Sequence, residues 1–142
     1  MRIFSLLLIL ALALFASPEA AKELGYHSDY NRALSIAKKE KKPLMLVVVT
    51  SYCPWCRKFE RKTLASKTIA PMVKSIYIPV IVDRNKDAEM FPKKFQTPRI
   101  PTVFFVDPKD EKEYWESIGY LNKKEFSEAL KDAESLFKKR QK

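Results

Sequence analysis

Two cysteines, two glycines and a single histidine are all that 142 residues contain of those types, and each scarcity removes a class of explanation. Cys53 and Cys56 cannot build the framework of crosslinks that holds a small secreted domain together. A bridge between them would close so short a loop that it restrains the unfolded chain little. A structural zinc site takes about four ligands, and beyond the two cysteines the only other soft ligand is His27, far away in the chain. Covalent haem attachment needs a histidine directly after the second cysteine, where Arg57 stands. No nucleotide, flavin or metal motif is present, so no cofactor is expected. Repeats, low-complexity linkers and a second composition regime are missing too, which points to one domain.

Long apolar runs are scarce as well. The run from Ile3 to Ala16, after Arg2, is too short to span a bilayer comfortably but suits the core of a secretory signal. Small residues follow at Ala16, Ser17, Ala20 and Ala21. The expected division is therefore residues 1–21 as a cleaved signal peptide and residues 22–142 as the exported domain, periplasmic or equivalent. An uncleaved anchor is the alternative reading of the same run. Pro18 and Glu19 disturb the usual small-x-small spacing for a cut after Ala20 or Ala21, so the cleavage point stays open.

Charge of one sign is in short supply: 17 acidic residues face 27 basic ones, a net of +10. Removing residues 1–21 takes out Arg2 and Glu19 and leaves that balance unchanged. A basic surface attracts acidic proteins, nucleic acid or anionic headgroups. Stretches such as Lys38-Lys39-Glu40-Lys41-Lys42 also read simply as a solvated face. Export argues against a nucleic-acid partner.

What is present orders itself as an α/β domain. Asp29 can cap a helix whose Tyr30, Ala33, Leu34 and Ala37 share one face. Leu44 to Val49 is an unbroken apolar run, the pattern of a strand covered on both sides. A helix is expected from Pro54 to about Leu64, with Ser66 to Lys74 continuing helically after a break. Ile76 to Val82 reads as a strand that contains Pro79, which places it at or near a sheet edge. Residues 86–95 read as weakly helical. Thr102 to Val106 and Glu113 to Ile118 read as an antiparallel pair, and Asn122 with Glu125 as the capping box of a last helix. The apolar stripe of that helix, Phe126, Ala129, Leu130, Ala133 and Phe137, needs no explanation beyond core packing.

The chemistry concentrates in Cys53-Pro54-Trp55-Cys56, which follows a buried strand and opens a helix. With Cys53 at the N-cap, its sulfur can accept from the amides of Trp55 and Cys56. Pro54 suits the first helical position, where no donor is lost. The helix dipole then favours thiolate over thiol, and Arg57 and Lys58 add positive charge. Cys53 is thus the expected nucleophile on a disulfide, and Cys56, one turn further in, the thiol that releases the product. A metal site and an inert short disulfide are the weaker readings of the same pair.

At this point the chain resembles the thioredoxin-like superfamily, over about Leu44 to Leu136. Tyr52 stands where the family has an aromatic before the first active cysteine, and Arg99-Ile100-Pro101-Thr102 is similar to its cis-proline loop. Gly119, before the last helix, is similar to the glycine that lets substrate backbone approach. The resemblance implies a three-layer α/β/α fold with a mixed four- or five-stranded sheet and a cis Ile100–Pro101 bond. It further implies a substrate surface made by Tyr52, Pro54, Trp55, Ile100, Pro101 and Gly119. Trp55 reads either as a partner contact or as packing beneath the helix start.

Three departures qualify the resemblance. Val47 occupies the position where family members often bury an acid that takes the proton of the second cysteine. Glu60, four residues after Cys56, is expected to be a solvated surface charge, with approach to Cys56 the lesser alternative. Pro54-Trp55 is closer to the dipeptides of glutaredoxins and oxidising enzymes than to Gly-Pro, and no clear first strand precedes Asp29. The expectation overall is a monomeric thiol–disulfide oxidoreductase for exported protein substrates, acting as a reductase fed by a membrane electron donor. A dithiol oxidase and a binding or chaperone module are the alternatives.

Overall fold

The computed structural model describes residues 19–142; the expected signal core lies outside the described residues. β1 (Leu44–Val49) is the strand around which the rest is built, and all six of its side chains are buried. It pairs in parallel with β2 (Ile78–Asp83) and antiparallel with β3 (Thr102–Asp107), and β3 pairs antiparallel with β4 (Lys112–Ile118). The sheet order is β2-β1-β3-β4, a mixed four-stranded sheet.

Alternation along the strands divides the core in two. Met45, Val47, Val49, Ile81, Val103 and Phe105 face one way, onto Phe59, Ile69, Val73, Phe126 and Leu130. Leu44, Leu46, Val48, Val80, Val82, Phe104 and Val106 face the other, onto Tyr30, Ala33, Ala37, Phe91 and Phe95. Helices therefore cover both faces, and the three-layer α/β/α arrangement expected from the sequence is the one observed. One layer is α2 (Tyr30–Glu40), capped by the Asp29 carboxylate on the Arg32 amide at 3.0 Å. The opposite layer holds α3 (Pro54–Lys58), which continues as a π-helical segment Phe59–Leu64, then α4 (Ile69–Ile76) and α5 (Lys123–Arg140). Pro71 sits in the first turn of α4, where its missing N–H costs nothing. The capping box of α5 is formed in both directions: the Glu125 amide donates to Asn122 and the Asn122 amide to Glu125.

Pro79 lies on the edge strand, and the reason is visible in its neighbour. His27 forms a one-residue parallel bridge beside Val80: its amide donates to the Pro79 carbonyl at 3.0 Å, and its carbonyl accepts from Ile81 at 2.9 Å. The proline nitrogen points to this outer side, so no rung to β1 is lost. The first strand that the sequence did not show is reduced to this single residue.

One local expectation needs correcting. Residues 86–95 are mostly turns, with a single 3-10 turn at Lys93–Phe95. The Asp83 carboxylate captures the amides of Asn85 and Lys86, and the Asp87 carboxylate takes the Asp83 amide, which holds the chain in turns. A short helix α1 (Glu19–Leu24) comes first among the described residues, with Ala20 and Ala21 buried in the core.

Candidate functional site

β1 ends at Val49, and Thr50-Ser51-Tyr52 carries the chain to the tip of α3. The Ser51 amide donates to the Asp83 carboxylate at 3.1 Å, which ties this approach to the end of β2. Cys53 is the N-cap, in extended conformation at φ −90°, and Pro54 takes the first helical turn. Of the two amides expected at the sulfur, that of Cys56 donates to Cys53 Sγ at 3.1 Å. Cys53 and Cys56 are joined as a disulfide, their Cα atoms 5.1 Å apart. Cys53 is half-buried, whereas Cys56 is wholly enclosed in the apolar cluster with Phe59 and Phe126. The two cysteines thus differ in access: Cys53 is half-buried at a helix tip, and Cys56 is enclosed in the core.

Strand register brings the other expected segments to the same place. Thr102 pairs with Val48 on one side and with Ile118 on the other. Residues 50–53, 100–101 and 119 therefore leave the sheet at one common end. The Ile100–Pro101 peptide bond is cis. Pro101 is buried, Ile100 packs against both core clusters, and the Gly119 amide donates to the Pro101 carbonyl at 2.7 Å. Gly119 has φ +86° with open space around its Cα, so it is the backbone conformation, and not crowding, that selects glycine there.

Around the tip, Tyr52 is 81% exposed and Trp55 57% exposed. Trp55 nevertheless packs against Tyr120, ring centroids 5.7 Å apart, so it serves as both a surface group and a support. Lys58 Nζ lies 5.0 Å from the Trp55 ring and 4.7 Å from the Tyr120 ring. Such contacts are worth about 0.5–1 kcal/mol at exposed sites. Arg57 turns the other way: its guanidinium donates to the Thr50 carbonyl at 3.1 Å and to Glu60 Oε1 at 2.7 Å. Its charge is therefore shared with a carboxylate before it reaches the sulfur.

Glu60 itself corrects the sequence reading. It is 5% exposed, not solvated, because α1 lies over it and Glu19, Ala20 and Glu23 border it together with Arg57 and Arg61. Burial pushes its carboxyl up to about 7; Arg57 pulls against that rise and Glu23 adds to it. Val47 is fully buried among apolar neighbours, so no acid stands on β1 at that place.

Two contributors were not singled out from the sequence. Asp83 ends β2 and holds both the approach to Cys53 and the turn after β2; an acid closing an apolar strand just before Arg-Asn-Lys was its only signal. Tyr120, next to Gly119, packs at a tilt against Trp55 and edge-on against Phe59. Thr63 adds a further tie, donating its hydroxyl to the Leu121 carbonyl at 2.7 Å. Among the described residues no cluster of metal-ligating side chains occurs, and no helix is long and apolar enough to cross a membrane.

This geometry can be set beside known proteins. A thioredoxin from Thermus thermophilus superposes with a TM-score of 0.67 at 19% identity, covering 75% of this chain and 85% of its own. The oxidoreductase DsbH gives a TM-score of 0.67 at 23% identity, with 78% and 84% covered. The C-terminal domain of Neisseria meningitidis DsbD, in its oxidised form, gives 0.62 at 18% identity, with 76% and 98% covered. At these identities the likeness speaks to the fold. No curated protein matches the chain in sequence. The Cys53–Cys56 disulfide at a helix tip of this fold supports thiol–disulfide oxidoreductase chemistry. Residues 30–134 match the thioredoxin-like domain model, and the chain belongs to that family.

Proposed function

We propose that the chain is a protein-disulfide reductase working on exported proteins, and that Cys53 is its nucleophile. The carrying observation is the asymmetry of the two sulfurs: Cys53 is accessible and accepts a helix-start amide, and Cys56 is enclosed. In the reduced form the dipole of the helical run and the Cys56 amide favour the Cys53 thiolate. That thiolate attacks one sulfur of a substrate disulfide, and the other sulfur leaves as a thiolate and takes up a proton. Cys56 then loses its proton and attacks Cys53 Sγ, which re-forms the internal disulfide and releases the second substrate thiol. Two electrons and two protons pass to the substrate. With Val47 apolar, the group on this chain suited to take the Cys56 proton is Glu60, one turn further along the same buried helical face.

Substrate backbone fits the strip between Tyr52, Pro54 and Trp55 on one side and Ile100, Pro101 and Gly119 on the other. Ile100 before the proline favours the reducing direction by resemblance, and a membrane dithiol is the class of donor that would restore the pair. The leader Ile3–Ala16 supports export, and a monomer suffices for the chemistry. Pro54-Trp55 favours a second reading, a dithiol oxidase. Equilibrating the Cys53–Cys56 pair with glutathione decides between them: a strongly reducing pair supports the reductase, and a strongly oxidising pair refutes it. Insulin reduction must vanish in Cys53→Ser; unchanged activity would remove Cys53 from the reaction and favour a binding module. Cys56→Ser should accumulate mixed disulfides through Cys53.

A further inference from the structure

The helical run that carries the cysteines is also the most one-sided charged surface beside them. Arg57, Lys58, Arg61 and Lys62 stand within six positions, and they line a shallow depression of about 440 Å³ that begins at Pro54, the residue after Cys53. The one acid of the run, Glu60, is turned inward and bound to Arg57. Among the described residues no carboxylate lies within ion-pair distance of Lys58, Arg61 or Lys62. Glu19 and Glu23 border the patch on its α1 side, in a separate depression shared with Arg57, Glu60 and Arg61. On the other flank, beyond Tyr120, exposed Lys123 and Lys124 open α5. Lys58 lies over two aromatic rings that pack on each other, so part of this charge is already positioned before a partner arrives.

Resting on the reading of Cys53 as an exchanging sulfur, we infer that the depression docks an acidic segment of the partner protein, next to the partner's reacting cysteine. The partner class is thus a thiol or disulfide protein with Asp or Glu flanking the cysteine that Cys53 attacks. Tyr52 and Trp55, exposed on either side of Cys53 and Pro54 in the chain, supply contact area but no charge preference of their own. Complementary charge of this kind acts chiefly on the association rate and fades as salt screens it.

The test uses the reduced protein and three disulfide-bonded peptides that are identical except for paired Glu, Gln or Lys residues flanking one cysteine. Second-order rate constants are measured at low and high salt for the wild type, Lys62→Glu and Cys53→Ser. The expected order is Glu above Gln above Lys at low salt, collapsing to within about twofold near 1 M salt, where the screening length is about 3 Å. Lys62→Glu should slow the Glu peptide about fivefold for each facing carboxylate, the effect of reversing one unit charge about 8 Å away in water, and leave the Gln peptide unchanged. Equal rates for all three peptides, or a Glu-over-Gln rate ratio that Lys62→Glu leaves unchanged, overturns the docking inference while leaving the exchange chemistry standing. If the Gln peptide is not exchanged, or Cys53→Ser exchanges it equally well, the underlying reading fails and the docking inference with it. Capture of the wild type but not Lys62→Glu on phosphatidylglycerol vesicles, with no ordering of the peptides, assigns the patch to a lipid surface and overturns the protein-partner inference.

Discussion

Glu60→Gln isolates the cost of enclosing an acid under α1. The wild-type carboxyl titrates at about 7 in the folded protein, against 4.5 for an unburied glutamate, with burial as the main cause. The folded state therefore holds this proton to a higher pH than the unfolded state does. Stability from this group is fully present below pH 4.5, is lost as the pH rises toward 7, and is level above that. At about 1.4 kcal/mol per pH unit the loss amounts to at most about 3 kcal/mol. Glutamine keeps an acceptor for Arg57 and cannot ionise, so its stability should be free of this slope. Urea unfolding of both proteins between pH 5 and pH 8 measures the difference, and titrations shared by the two, such as those of Asp87 and Glu113, cancel. The variant should gain about 2–3 kcal/mol relative to wild type across that interval. Parallel profiles, within about 0.5 kcal/mol, would refute the enclosure of Glu60 as a titrating group.

Asp83→Ala leaves the amides of Ser51, Asn85 and Lys86 without their acceptor; a loss of about 2–3 kcal/mol is expected in urea unfolding. A chain beginning at Lys22 lacks Ala20 and Ala21, both buried against the core, and should unfold with about 2 kcal/mol less stability than one beginning at Glu19. Asn122→Ala removes one arm of the α5 capping box and should cost about 1 kcal/mol by the same measurement.

Most of the fold could be read from the chain because β1, β2 and β3 are buried along their whole length and α2 and α5 carry their capping residues in sequence. Pro79 announced an edge, Asn122 and Glu125 announced a helix start, and Pro54 after Cys53 announced another. The reading failed where a long-range neighbour decides the outcome. Glu60 looks like any surface glutamate until α1, some forty residues earlier, is laid over it. The turns after Asp83 follow from side chains that capture backbone amides, which outcompete a weak helical pattern. His27 could not be read as a strand because a single bridging residue has no period. At the site, the CxxC, the proline loop and Gly119 were visible as motifs, whereas the joint role of Lys58 and Tyr120 depends on a loop and a helix meeting in space.

The His27 bridge has a bearing on how molecules of this protein stack on one another. By occupying the middle of the outer rim of β2, it denies that rim to a strand from a neighbouring molecule. Sheet-to-sheet growth is left with the rim of β4, and there Lys112, Glu113 and Glu116 stand exposed as charged guards beside Trp115. Replacing those three with apolar residues would open a path to fibrous self-assembly that the present sequence keeps shut.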